Sequence, residues 1–293
     1  MRGARVALFE SRRSVELAGL VRRHGGEPVS VPAVREAPLA VDEDTRESIK
    51  RLASGAFNLV VFLTGVGAQR LFDESDALGV LPALLVALES AVTVCRGPKP
   101  VAALKARGVH VSHAVPPPHT TAELVPVLER LAGPDTVAAV IHAGEPFAAP
   151  AAALRERGAQ VEELQLYQWI LPDAELAGLQ QLVRQVLAGR VDCAAFTSQV
   201  QIRHLLHAAA TLDLLDALRE TLTTRVTVAA VGPTCADVLR ANGITPHVVP
   251  EHPKMGQMVV ALARYLEGES GGDKSESEDE SKPVVDGTHD ARR

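Results

Sequence analysis

Two stretches decide the fold: Phe57–Phe72, FNLVVFLTGVGAQRLF, and Val191–Leu206, VDCAAFTSQVQIRHLL. Each reads as a short apolar run, a turn of small or polar residues, and then apolar residues at helical spacing. They are the same pattern twice, and the likeness extends in both directions. CRGPKPVAALKARG from Cys95 lines up with AVGPTCADVLRANG from Ala230, so that Gly97, Pro98, Leu104 and Gly108 fall on Gly232, Pro233, Leu239 and Gly243. TTAELVPVLERL then continues against MGQMVVALARYL, and VALFESRRSVELAGLVRRHG near the start resembles AVIHAGEPFAAPAAALRERG, which ends at Gly158. The spacing is far larger than the roughly 20–50 residues of a solenoid repeat, so it marks a duplicated domain.

Six runs have strand length: VALF, LVVFL, VTVC, VAAVIH, CAAF and VTVAAV. They are apolar throughout instead of alternating, which suits parallel strands buried on both faces. The segments between them, such as SVELAGLVRRHG and PVAALKARG, show helical spacing and end in Gly, a C-cap signal. Strands alternating with helices imply right-handed βαβ units and an open sheet. The N-terminal unit precedes the first copy of the long block, whereas its partner follows that copy. Two complete lobes therefore require the chain to leave the first lobe early, build the second and return. The crossings predicted for this are EPVSVPAVREAP (27–38) and VEELQLYQWILP (161–172), extended, Pro-bounded and pairing as a hinge ribbon. The expected fold is α/β: two similar open parallel-sheet lobes of flavodoxin/Rossmann-like type, joined by a two-stranded β ribbon, with a cleft between them. Residues 1–35 with 171–267 make one lobe and 36–170 the other. Residues 268–293 are polar and charged, a composition expected to be disordered.

With 46% hydrophobic residues the chain can fill two cores, while 3% aromatics and a net charge of −6 provide neither a base-stacking surface nor a basic footprint for nucleic acid. MRGARVALFESRR carries charge within its short apolar run, and no run approaches the roughly 18–20 residues of a membrane span. Cys95, Cys193 and Cys235 are odd in number and widely spaced, without a CxxC, so they read as buried thiols in a reducing compartment. The expectation is a cytoplasmic protein with no nucleic-acid or membrane partner and no metal site.

In open α/β sheets, ligands bind beyond the carboxyl ends of the strands. The residues there include Arg12 and Arg13, Thr64 and Gly65, Gly97 and Lys99, His142 and Gly144, Ser198 and Gln199, and Gly232 and Thr234. Hydroxyls, glycines and cations dominate, and helix N-termini add free N–H groups, so two such rims facing each other suit a ligand with several carboxylates. Thr64, Ser198 and Thr234 also read as N-caps, Arg12, Arg13 and Lys99 as surface charges, and His142 as a satisfied strand-end histidine. TGVG and GPK are not GxGxxG, and no GxxxxGK[ST] occurs, which leaves nucleotide binding without specific support.

In this order and spacing, VVFLTGVGAQRLF, RGPKPVAALKARG, ERGAQVEELQLYQWILP, DCAAFTSQVQIRHLL and AAVGPTCADVLRANG resemble the uroporphyrinogen-III synthase family over nearly all of the chain before the tail. The resemblance implies an enzyme that takes hydroxymethylbilane, removes its terminal hydroxyl, inverts the last pyrrole and closes the ring through a spiro intermediate, with no cofactor. It further implies that the turns at Thr64–Gly65, Gly97–Lys99, Ser198–Gln199 and Gly232–Thr234 hold the substrate's carboxylates, with Arg12 and Arg13 adding charge. Tyr167 falls where such enzymes carry a tyrosine near the ribbon, and its implied role is to assist departure of the hydroxyl. A monomer in transient contact with the preceding pathway enzyme is expected. Pro100 and Cys235 depart from the family pattern, which commonly has threonine there. A non-catalytic protein of the same fold that senses an anionic ligand is the alternative.

Overall fold

The computed structural model describes residues 1–268. Its strands are β1 (Arg5–Leu8), β2 (Glu27–Ser30), β3 (Arg35–Pro38), β4 (Leu59–Phe62), β5 (Val92–Cys95), β6 (His113–Ala114), β7 (Val137–Ile141), β8 (Gln160–Leu164), β9 (Tyr167–Ile170), β10 (Cys193–Phe196) and β11 (Thr227–Ala230). Two parallel sheets result, ordered β11-β10-β1-β2 and β6-β5-β4-β7-β8. All six apolar runs are strands. The sheets share one order, with β10 and β4, β11 and β5, β1 and β7, and β2 and β8 in equivalent places, as the duplication requires. A parallel bridge from Ala229 to Val248 occupies the position that β6 fills in the other sheet.

Each sheet is covered on both faces, so alternate residues of one strand enter different cores. Ala7 and Phe9 pack in one layer of the first lobe, and Val6 and Leu8 in the other. Val60 and Phe62 face one layer of the second lobe, and Leu59, Val61 and Leu63 the opposite one. Every residue of β4 and β10 is buried. The glycines that end the helical patterns, such as Gly25 and Gly108, hold φ values of 75° and 77°, the left-handed region that lets a chain leave a helix.

The crossings differ from the sequence expectation. Only Arg35–Pro38 and Tyr167–Ile170 pair as the antiparallel ribbon, with Pro38 opposite Tyr167. The first parts of both segments instead add edge strands: β2 lies parallel to β1 and β8 parallel to β7. Half-exposed edges tolerate the Glu, Gln and Pro that concealed them, and Pro28 withholds no N–H that a central strand would need. Apart from Gly268, which follows the last helix, the expectation for residues 268–293 lies outside the described residues.

Candidate functional site

In each sheet the direction of winding reverses between two central strands, β4 and β7 in one and β10 and β1 in the other. Such switch points open a crevice at the carboxyl ends of the strands. The two crevices face a common cleft of about 380 Å³, whose wall is drawn from both lobes and the ribbon. Four helices begin on it: Gly65–Ala77, Pro98–Ala106, Gln199–Ala210 and Pro233–Ala241. Their N-terminal N–H groups and dipoles favour anions.

Tyr167 opens β9, is only 1% exposed, and reaches the cleft with its ring buried. Its hydroxyl lies 3.0 Å from Thr64 Oγ1. Thr64 caps its helix by accepting a hydrogen bond from the Gly67 N–H at 3.0 Å. When the threonine hydroxyl donates to the tyrosine oxygen, the phenolic proton is free to point into the cleft. Trp169 packs edge-on against the tyrosine ring, 6.2 Å between centroids and 82° between planes. Burial pushes the Tyr167 phenol above its ordinary 10.0, and the Thr64 hydrogen bond with the Arg12 and Arg96 charges offsets part of that rise. The group is thus a neutral proton donor at physiological pH.

Most of the expected residues meet at this cleft. Arg12 lines it and pairs with Glu36 of the ribbon. Thr64 and Gly65 lie on the second-lobe side, where a Cβ on Gly65 would stand 2.9 Å from the Lys99 carbonyl oxygen. Gly97 caps the helix that carries the exposed Lys99. Ser198 caps its helix, donating its N–H to Gln201 Oε1 at 3.3 Å, and Gln199 follows it on the wall. Gly232, not Thr234, is the cap of the fourth helix; Thr234 sits exposed in its first turn.

Three expected residues stand elsewhere. Arg13 lies away from the cleft wall, with its guanidinium taken up by Glu16 of the same helix. His142 is 2% exposed and internally satisfied: Nδ1 accepts from the Phe147 N–H at 3.2 Å, which leaves the protonated Nε2 to donate to Glu163 at 2.7 Å. It is a structural strand-end histidine, not a cleft ligand. Gly144 supports the ribbon from behind. Its carbonyl accepts the Trp169 N–H at 2.9 Å, and a Cβ there would lie 2.5 Å from the indole.

Other cleft residues emerge only from the fold. Arg96 and His119 border the same space as Tyr167, and His119 Nδ1 donates to the Val115 carbonyl at 2.8 Å. Arg96 immediately precedes Gly97, so its strand-end position was the available signal. In the first lobe Thr197 Oγ1 donates to Glu10 Oε2 at 2.5 Å, and Gln201 Nε2 donates to Thr197 Oγ1 at 2.8 Å. This network lines a second cavity of about 520 Å³ at the carboxyl ends of β1 and β10. The three cysteines are buried, and burial pushes each thiol up to about 12. Among the described residues no group of three His, Cys, Asp or Glu is arranged to hold a metal, and no helix is long and apolar enough to cross a membrane.

Fold and site together define a two-lobed α/β protein with an interlobe cleft on which four helices begin and into which a buried phenol reaches. The family model described as uroporphyrinogen-III synthase HemD matches residues 15–260, and the chain belongs to that family. It is 33% identical to the uncharacterized protein YjjA of Bacillus subtilis strain 168 over 267 residues, 90% of this chain and 97% of that one. It is 28% identical to a putative uroporphyrinogen-III synthase of Methanothermobacter thermautotrophicus over 264 residues, 86% and 94% of the two chains. Among solved structures, a mutant uroporphyrinogen III synthase of the extremely thermophilic bacterium Thermus thermophilus matches with a TM-score of 0.74 and 32% identity, covering 91% of this chain and 100% of that one.

Proposed function

We propose that the protein is a uroporphyrinogen-III synthase, a lyase of tetrapyrrole biosynthesis that converts hydroxymethylbilane to uroporphyrinogen III and water. The observation that carries this reading is the Tyr167–Thr64 pair, a neutral phenol held against a threonine hydroxyl on the wall of a cleft where four helices begin. Tyr167 donates its proton to the departing hydroxyl as the C–O bond breaks, so that water leaves. The resulting azafulvenium cation on the ring that bore the hydroxymethyl group is attacked by the substituted α-carbon of the last ring, giving a spiro intermediate. The last ring's old bond to its neighbour then breaks and re-forms at its free α-carbon, and the proton lost on rearomatisation restores the Tyr167 phenol. Atoms balance without an added oxidant, reductant or cofactor. The substrate's eight carboxylates call for Arg12, Lys99, the Ser198 hydroxyl and the N–H groups at Gly65, Gly97, Gln199, Gly232 and Thr234. Holding a folded bilane for closure supplies much of the rate, as an entropy trap does.

The units that close on the substrate are, on this reading, residues 1–35 with 171–267 and residues 36–170, hinged at the ribbon. The protein works as a cytoplasmic monomer and receives its labile substrate by transient contact with the enzyme that makes it.

The test is to supply the purified protein with freshly generated hydroxymethylbilane, without added cofactor, and to separate the oxidised porphyrin isomers. Uncatalysed closure keeps the ring order and yields type I. Dominant type-III product is the expected result. Type I alone from folded protein would replace this reading with that of a non-catalytic anion-binding relative.

A further inference from the structure

Of the two arginines that line the cleft, Arg12 is paired with Glu36. Arg96 is the other. It follows β5 on the cleft wall and is only partly exposed, and its guanidinium has no carboxylate or hydrogen-bond partner among the described residues. Its charge is felt by Tyr167, and burial holds its guanidinium below the ordinary arginine range. Taking a guanidinium out of water without a counter-ion is costly, and proteins rarely leave such a group unpaired. Glu36 is the one carboxylate on this wall among the described residues, and Arg12 occupies it. A ligand carboxylate entering the cleft would supply the counter-ion that this wall lacks. Arginine's planar fork matches a carboxylate through two parallel N–H···O bonds, which fixes direction as well as charge.

We infer that Arg96 is the receptor for one carboxylate of the bound tetrapyrrole and sets that group beside the Tyr167 hydroxyl. The inference rests on the function proposed above, which does not include Arg96 among the binding groups. The Arg96 guanidinium forms no ion pair or hydrogen bond that would hold the fold among the described residues, so its charge is uncompensated until ligand arrives.

The chain's single tryptophan, Trp169, lines the same cleft and reports its occupancy. Quenching of Trp169 fluorescence by uroporphyrin III, the air-stable aromatised product with eight carboxylates, measures affinity without turnover. Arg96→Gln is expected to weaken binding at least tenfold, and Arg96→Lys to recover part of the loss. The unfolding temperature of Arg96→Gln should equal or exceed that of the wild type, because an unpaired, half-buried charge has been removed. Binding of Arg96→Gln within twofold of the wild type would overturn the proposal. So would weaker binding accompanied by a lower unfolding temperature, which is the mark of a structural role. Wild-type protein that binds through Arg96 yet makes only type-I product would sink the synthase reading and keep the carboxylate receptor. Type-III product together with unaltered Arg96→Gln binding would do the reverse.

Discussion

At the scale of single residues, the chemistry depends on which partner each polar side chain finds. Tyr167 and Thr64 stand 103 positions apart in the chain, and their contact turns a helix cap into part of a proton-donating pair. Tyr167→Phe should slow type-III formation by more than about tenfold, on the order of 1.4 kcal/mol of barrier, read from initial rates in the coupled assay. Because burial raises the phenol above 10.0, its proton stays in place throughout the neutral and mildly alkaline range. The wild-type pH–rate profile should therefore show no alkaline loss from this group below about pH 10; a falling limb centred near pH 8 that disappears in the Phe variant would contradict this. Glu163 offers a stability counterpart. Burial alone would raise its carboxyl, but hydrogen bonds from His142 and Arg155 outweigh that and hold it below the ordinary 4.5. A lowered folded-state value means that its contribution is present above 4.5 and lost as pH falls through the folded value. Urea midpoints of Glu163→Gln should accordingly depend less on pH below about 4.5 than those of the wild type, a difference in slope that follows from this linkage.

At the scale of elements, the ribbon is what carries Tyr167 to the cleft, and Gly144 is what admits the ribbon. The indole of Trp169 lies where a side chain on Gly144 would go. Gly144→Ala forces the strand outward and should destabilise the protein by about 1–3 kcal/mol through overpacking, seen in thermal unfolding. The displaced β9 should also lower the rate of type-III formation; full activity in a folded Ala variant would show that the ribbon's seat is not needed to place Tyr167. The turn–helix units behave differently, since their form is local. TGVG and TSQV each follow a buried strand with a hydroxyl cap, and both copies build the helix start that their residues imply. The edge strands were concealed because half-exposed positions accept Glu, Gln and Pro, which removes the apolar run by which the central strands are read.

For the whole molecule, duplication explains why one sheet order occurs twice and why the site has two walls. Residues 36–170 contain the five-stranded sheet with apolar layers on both faces, drawn from one continuous stretch of chain. Expressed alone, this segment should fold, with a cooperative thermal transition and helical circular dichroism, yet should not quench with uroporphyrin III because half the cleft wall is absent. A segment without a cooperative transition would refute the proposed division into lobes.

The amino-acid sequence by itself determined the repeat, the parallel sheets, the departure and return of the chain, and the strand ends at which the cleft forms. These follow from apolar runs, helical spacing and glycine caps, which are properties of neighbouring residues. Tyr167 entered through family resemblance, because nothing in its local pattern separates a cleft phenol from a ring that merely packs. Only the tertiary structure decided that His142 is consumed by Glu163 and Phe147, that Arg13 turns to Glu16, and that Arg96 is left without a counter-ion. A polar side chain's role is set by the groups that long-range folding brings within hydrogen-bond reach, and local sequence pattern does not encode those distances.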